Sequence, residues 1–186
     1  MSTAIAVVKE MLADRGVGLG ELATVGDKEI AALAAAHGFF HLAAEDRDVV
    51  VVTQKLKTQD LQKAAAVLDE SRRSKAIIIV QDSPLSFHKN CVAASYGDAE
   101  IFSIGELQYN VSRHELVPPH RKMADAEVRD LLKTCMLNDR KGLPSIRSTD
   151  AMAKYLGLRP GDVVEITRAS PAAGTSLYYR HCVFKA

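Results

Sequence analysis

Residues 150–167, "DAMAKYLGLRPGDVVEIT", predict a short helix, a tight turn and a strand, in that order. Asp150 suits the position before the helix, where its carboxylate can accept a hydrogen bond from a backbone N–H of the first turn. Gly157 suits the left-handed position that ends a helix, and Pro160 with Gly161 suits the centre of a type II turn. A second strand, "SLYYRHCVF", returns after the loop "SPAAG". Residues 110–186 are therefore predicted to form an α+β domain.

Upstream of this stretch, a longer amphipathic helix is predicted, because apolar residues recur at helical spacing after an acidic first turn. The residues of its apolar face are Val128, Leu131, Leu132 and Cys135.

The segment that opens this half, "HELVPPH" (114–120), carries a His-Glu pair and a second histidine. A helical zinc site needs histidines four residues apart, whereas His114 and His120 are six apart. Pro118 and Pro119 would also break a helix between them. The prolines are better interpreted as a stiff extended link between two domains.

The first half of the chain predicts a separate α/β domain over residues 1–109. Three aliphatic segments, "DVVVVT", "KAIIIV" and "AEIFS", have the composition of strands, and the first two are continuous apolar runs. Such runs are typical of strands buried on both faces of a parallel or mixed sheet. Helical spacing predicts helices at 4–15, at 27–37, from Thr58 to Leu68, and at 84–95.

Composition limits the possible functions without choosing one. Of 186 residues, 47% are apolar and 25% charged, and the net charge is +1, so there is no overall field to attract nucleic acid or anionic lipid. The aliphatic runs are much shorter than the ~20 residues that cross a bilayer, and no export signal is visible at the N-terminus. Three scattered cysteines do not suggest a disulfide framework. We expect no membrane contact.

A metal-dependent nuclease is the main enzymatic alternative, because such enzymes place carboxylates and a lysine on a small α/β sheet to bind Mg²⁺. In "VVVVTQK" the lysine is Lys55, but Thr53 occupies the position of the acidic residue, and the metal would lose a hard oxygen ligand. No catalytic constellation or cofactor site emerges from the sequence. The isolated chain is therefore expected to lack nuclease activity, and magnesium-dependent cleavage that disappears on changing Asp48 or Lys55 would contradict this.

Three C-terminal strings are more specific than any of these motifs. "HELVPPH", "LPSIRSTDAMAKYLGLRPGDVVEITRAS" and "AAGTSLYYR" together resemble the assembly domain of the fifth common subunit of eukaryotic RNA polymerases I, II and III, which has an equivalent in the archaeal polymerase. One departure is Ala151, where the family usually has proline. In the N-terminal half, "AIIIVQDSPLSFHK" resembles part of the jaw domain that precedes the assembly domain in eukaryotes.

The resemblance implies a nuclease-like α/β jaw domain, with a small sheet and flanking helices, followed by an α+β assembly domain. It implies a non-catalytic subunit that docks on the largest polymerase subunit, contacts other subunits and lies beside downstream duplex DNA during transcription. The expected location is the nucleus, or a virion or viral factory if the chain comes from a large DNA virus. A free-standing DNA-binding or regulatory protein built from the same domains is the other alternative.

The resemblance also indicates candidate contact residues. The loop that it places towards DNA contains Ser83, Ser86, His88 and Lys89. Arginine and tyrosine are favoured anchors where a surface is buried against a partner, and the candidates for the subunit interface are His114, Arg147, Tyr179 and Arg180.

Overall fold

A computed structural model of the chain describes residues 2–26, 39–52, 75–83, 99–170 and 174–184. The chain divides into two units, Met1–Tyr109 and Asn110–Ala186. The predicted helices at 27–37, 58–68 and 84–95 lie outside the described residues, as do Thr53 and Lys55.

The N-terminal unit contains a four-stranded mixed sheet with the order β1-β2-β3-β4. The parallel arrangement of β2, β3 and β4 confirms the interpretation of the three aliphatic segments. An additional edge strand, β1, was not predicted and runs antiparallel to β2. All side chains of β2, and all but the first of β3, are buried, as expected for strands covered on both faces. The strand bounds are Phe39–Ala43, Arg47–Val52, Lys75–Val80 and Ala99–Ser103.

Helix α1 spans Ser2–Asp14 and packs an apolar face into the core of this unit. Ile5, Val8 and Leu12 are fully buried. The helix ends just before Gly16, close to the predicted end at residue 15; Gly16 has a left-handed φ of +71°, and the N–H of Val17 donates to Leu12 O at 2.9 Å. This pattern is a glycine-terminated helix end.

Charged side chains join the end of α1 to the beginnings of the strands. Arg15 donates to both carboxylate oxygens of Glu100 on β4, at 2.9 and 2.7 Å. At the start of β2 and β3, Arg47 donates to Asp46 at 2.9 Å and Lys75 donates to Asp46 at 2.9 Å. These ion pairs fix one end of the sheet.

Asp46 gives this end of the sheet a testable pH dependence. Its pKa is lowered from 3.8 to about 2, mainly by the hydrogen bond from Arg47; burial opposes the shift, and Lys75 adds to it. Because the folded-state pKa is depressed, the stabilisation is present above about pH 4 and is lost as the pH falls towards 2. We expect Asp46→Asn to unfold with a weaker pH dependence than the wild type between about pH 4 and pH 2.

Urea unfolding at several pH values checks this expectation. Asp46 is partly exposed, so its replacement should lower the free energy of unfolding at pH 7 by less than about 1 kcal/mol. Identical pH dependence in the variant and the wild type would contradict the assignment.

The C-terminal unit contains a second four-stranded mixed sheet, with the order β5-β7-β8-β6. Its centre is the antiparallel hairpin of β7 and β8, with β5 antiparallel to β7 and β6 parallel to β8. The short strands β5 and β6 were not predicted. The elements are β5 His120–Lys122, α2 Asp125–Thr134, β6 Ser145–Arg147, α3 Ala151–Tyr155, β7 Val163–Ser170 and β8 Gly174–Val183.

Alternate residues of this sheet contribute to two separate cores. One cluster includes Ala153 of α3, and its other members are Ile146, Leu158, Val164, Ile166 and Cys182. The second cluster includes Val128 of α2 with Met123, Leu143 and Val163, against which Leu131, Leu132, Leu137 and Tyr179 pack. Val163 and Val164 point to opposite sides because strand side chains alternate.

The stretch at residues 150–167 folds as its sequence predicts. Asp150 accepts a hydrogen bond from the N–H of Met152 at 2.9 Å and so caps α3. Gly157 has a φ of +63° and Gly161 a φ of +98°. The N–H of Asp162 donates to Arg159 O at 2.9 Å, which closes the turn around Pro160 and Gly161.

The stability of the fold should be sensitive to a side chain at Gly161 in this turn. Gly161→Ala should lower the free energy of unfolding by about 1–2 kcal/mol, because a Cβ is strained at this positive φ even though no atom lies within 4 Å of it. Urea unfolding measures the change. Gly105→Ala is the control, since Gly105 does not have a positive φ and its Cβ would meet only Ser103 Oγ at 3.9 Å; equal losses in both variants would contradict the explanation.

Two expectations for the C-terminal unit are wrong. Cys135 is exposed at the end of α2 rather than on its apolar face, because the helix turns at Met136, whose φ is +53°. The segment with Pro118 and Pro119 does not link the two units but lies within the second.

Hydrogen bonds show how this segment belongs to the C-terminal unit. Asn110 donates to the Tyr155 hydroxyl at 3.0 Å, and the N–H of Thr167 donates to Pro119 O at 3.0 Å. Nδ1 of His120 donates to Pro118 O at 2.6 Å. The restricted backbone of the prolines therefore leads into the edge strand β5.

Candidate interaction surface

The β7–β8 hairpin extends beyond the two cores that cover its base. Side chains from Gly174 to Tyr178 are exposed, and so are Arg168 and Ala169 on the opposite strand. Two of these exposed residues are large and apolar or aromatic, Leu177 at 53% and Tyr178 at 37% exposure. This end of the hairpin is a candidate surface for a partner.

On one face of the hairpin, an aromatic ring lies between two cations. The guanidinium carbon of Arg168 lies 4.8 Å from the centroid of the Tyr178 ring, and that of Arg180 lies 5.6 Å from it. Tyr178 and Arg180 share this face because they are two residues apart on β8, and Arg168 is diagonal to Tyr178 across the register. Cation–π attraction holds both guanidinium groups against the ring. The result is a positively charged patch with an aromatic centre.

Arg180 connects this patch to the edge of the sheet. Its Nη1 donates to Ser145 O of β6 at 3.4 Å. Its Nε is buried and, within the part of the chain that the structure describes, has no hydrogen-bond partner. Arg180 is thus positioned both by the edge strand β6 and by the Tyr178 ring.

Tyr179 lies on the opposite face and is not part of the patch. It packs against the α2 cluster, and burial, followed by the negative charges of Glu165 and Cys135, raises the pKa of its hydroxyl. Tyr178, which was not predicted, takes the aromatic position beside Arg180. The alternation of side chains along the strand could have indicated it, since residues 178 and 180 must share a face.

The other two predicted interface residues lie elsewhere. Arg147 is exposed on β6 and is opposite Val183 in the register, so it faces away from Arg180. His114 is exposed in a turn, where its Nδ1 accepts from the N–H of Leu116 at 3.2 Å. The structure therefore does not bring the four predicted residues together.

Of the predicted DNA-contact residues, the structure describes Ser83. It is exposed and follows β3 at its carboxyl end, the edge at which the parallel strands β2 and β4 also end. Ser86, His88 and Lys89 lie outside the described residues. The contact with DNA stays a prediction.

Within the described ranges, no group of three His, Cys, Asp or Glu side chains is arranged to hold a metal ion. Asp48 is fully buried, and its Oδ1 lies 2.8 Å from His41 Nε2. Its carboxylate therefore interacts with a side chain of the neighbouring strand β1. Among the helices described, none combines the length and apolarity required to cross a membrane.

Comparisons with known proteins give consistent results. The family described as "RNA polymerase Rpb5, C-terminal domain" matches residues 109–182, which is nearly all of the C-terminal unit. A Dictyostelium discoideum protein named as a subunit of DNA-directed RNA polymerases I, II and III is 33% identical over 135 residues, covering 70% of this chain and 68% of the relative.

Two further relatives differ in length. The corresponding subunit of Caenorhabditis elegans is 37% identical over 138 residues, or 73% of this chain and 62% of the relative. A DNA-directed RNA polymerase subunit Rpo5 from the archaeon Pyrococcus horikoshii is 42% identical over 76 residues, which is 41% of this chain but 92% of the relative. The matched region therefore spans nearly all of the archaeal relative and about two thirds of the eukaryotic ones.

Proposed function

This chain belongs to the family of the Rpb5/Rpo5 subunit of DNA-directed RNA polymerases, and we propose from this that it is a non-catalytic subunit of such an enzyme. The observation that carries the proposal is the agreement between the region matched by the family and a unit with its own sheet and cores. The archaeal relative, of which 92% is matched, is itself named as a polymerase subunit.

In this proposal the C-terminal unit docks on the largest polymerase subunit. The patch of Arg168, Tyr178 and Arg180 supports a protein contact, because arginine and tyrosine are enriched among the residues that dominate binding energy. The guanidinium groups of Arg168 and Arg180 beside the ring support a carboxylate on the partner. The assembled enzyme would work in the nucleus, or in a virion or viral factory if the chain is viral.

Cross-linking of the purified polymerase tests the docking. Lys122 and Lys141 are exposed lysines of the C-terminal unit, and a lysine-reactive cross-linker followed by mass spectrometry should join them to the largest subunit. Cross-links from both lysines to other subunits alone would contradict the proposed position.

The N-terminal unit is proposed to serve as the jaw beside downstream duplex DNA. Ser83 at the carboxyl edge of the sheet supports this role because it is exposed, and Ser86, His88 and Lys89 follow it closely in sequence. The net charge of +1 indicates that such a contact would be local rather than driven by an overall field.

A photoreactive amino acid at position 83 tests this placement in a transcribing complex. Illumination should cross-link the chain to the downstream DNA, and the same photoreactive residue at position 145, an exposed position of the C-terminal unit, is the control. Equal cross-linking from the two positions, or none from position 83, would contradict the jaw assignment.

A further inference from the structure

Strand β8 has a paired strand along most of one edge. On its other edge, only its C-terminal end is paired. It pairs with β7 from Gly174 to His181. On the opposite edge, β6 pairs only with His181–Val183. Within the described residues, no strand lies beside the other edge between Gly174 and Arg180. The backbone of this stretch is therefore open on one side.

Two hydrogen bonds show which backbone groups point outwards. The N–H of Cys182 donates towards β7, to Asp162 O at 2.7 Å, whereas the N–H of His181 donates to Pro144 O, on the side of β6, at 2.9 Å. Because the direction alternates along an antiparallel strand, the N–H and C=O groups of Thr175, Leu177 and Tyr179 face the open edge.

The open edge lacks the features by which proteins usually prevent strand addition. Natural edges are shortened, or they carry lysine, proline or a bulge. The other edge strands of this sheet, β5 and β6, have three residues each. The β8 segment 174–180, "GTSLYYR", contains neither lysine nor proline, and it exposes Leu177 and Tyr178. It offers a suitable template for an added strand.

We propose that an extended segment of the largest polymerase subunit adds to this sheet as a strand beside residues 174–180. The segment would carry Asp or Glu at alternate positions, so that its acidic side chains lie against Arg168 and Arg180 on either side of Tyr178. The two guanidinium groups beside Tyr178 favour an acidic occupant through charge complementarity. This inference rests on the proposed function and names the contact that assembly uses.

A proline at position 177 tests the proposal because its effect is confined to the open edge. Leu177→Pro removes an N–H that β7 does not use, which an edge strand tolerates, and places a ring where the added strand would lie. Tagged full-length Leu177→Pro should recover about tenfold less polymerase than the wild type. Leu177→Ala keeps the N–H and removes the side chain, and it should recover clearly more polymerase than the proline variant.

Hydrogen–deuterium exchange provides a second measurement that does not depend on how the variants fold. Amides of the peptide spanning residues 174–180 should exchange at least about tenfold more slowly in the wild-type polymerase than in the free chain. Unchanged exchange in the assembled enzyme would overturn the proposal, and so would equal losses of polymerase with the alanine and proline variants.

The same experiment separates this inference from the function on which it rests. If the wild-type chain recovers no polymerase subunits, the proposed function fails. If the wild type and Leu177→Pro recover polymerase equally, the function stands and strand addition is wrong. A dimer of the free chain that Leu177→Pro abolishes would assign the open edge to a second copy and overturn the proposed occupant.

Discussion

Replacing Glu100 with alanine is expected to lower the free energy of unfolding by about 3 kcal/mol, through loss of the ion pair between α1 and β4. Arg15 donates to both oxygens of this carboxylate, and only 6% of the Arg15 side chain is exposed, against 30% of that of Glu100. Arg47 lies 3.9 Å from the same carboxylate. Removing Glu100 would leave two largely buried guanidinium groups without this counter-charge.

Urea unfolding of the full chain measures the effect, and an exposed ion pair supplies the control. Lys133 and Asp130 lie 3.4 Å apart, with 79% and 77% of their side chains exposed, and Asp130→Ala should lower the free energy of unfolding by less than about 0.5 kcal/mol. The double variant Arg15→Leu, Glu100→Leu should recover part of the loss, because it removes a buried charge together with its partner. If Glu100→Ala lowers the free energy of unfolding no more than Asp130→Ala does, the ion pair of Arg15 and Glu100 does not stabilise the fold.

The second large effect is expected at the hairpin patch. Changing Tyr178 and Arg180 together to alanine should weaken association with the polymerase at least about thirtyfold, because a single aromatic or arginine anchor at the centre of an interface contributes about 2 kcal/mol. Affinity capture of the assembled enzyme at graded salt concentrations measures the change. Lys133→Ala, on the exposed face of α2, is the matched control.

Arg147→Ala distinguishes the two faces of the sheet in the same assay. It removes the cation that lies on the face opposite Arg180 and should leave association nearly unchanged. If the Tyr178 and Arg180 double variant associates fully and Arg147→Ala does not, the interface lies on the face of the sheet that carries Arg147. That result would contradict the proposed patch.

Local features of the fold were predictable from the sequence because they depend on residues close together in the chain. The cap at Asp150, the left-handed Gly157 and the turn at Gly161 follow from the backbone preferences of single residue types. The buried strands β2 and β3 follow from unbroken aliphatic runs. The resemblance to the polymerase subunit likewise depended on three strings in the chain itself.

The features that sequence reasoning missed depend on distant partners. Strands β5 and β6 have three residues each, too short to show a period of two, and they exist because β7 and β8 offer them an edge. The pair of Arg15 and Glu100 spans 85 positions, and no local pattern links its members. Tyr178 and Tyr179 point to opposite faces of β8, but which of these faces α2 covers depends on packing, so the sequence alone does not show which tyrosine is buried.

Affinity purification of the tagged full-length chain from its native source shows whether the chain is a polymerase subunit. We expect the two largest polymerase subunits to be recovered with the tagged chain at equal stoichiometry, in a complex that synthesises RNA on a DNA template. Recovery of the chain alone, or bound to DNA without the two large subunits, would contradict this expectation and would favour a free-standing DNA-binding protein.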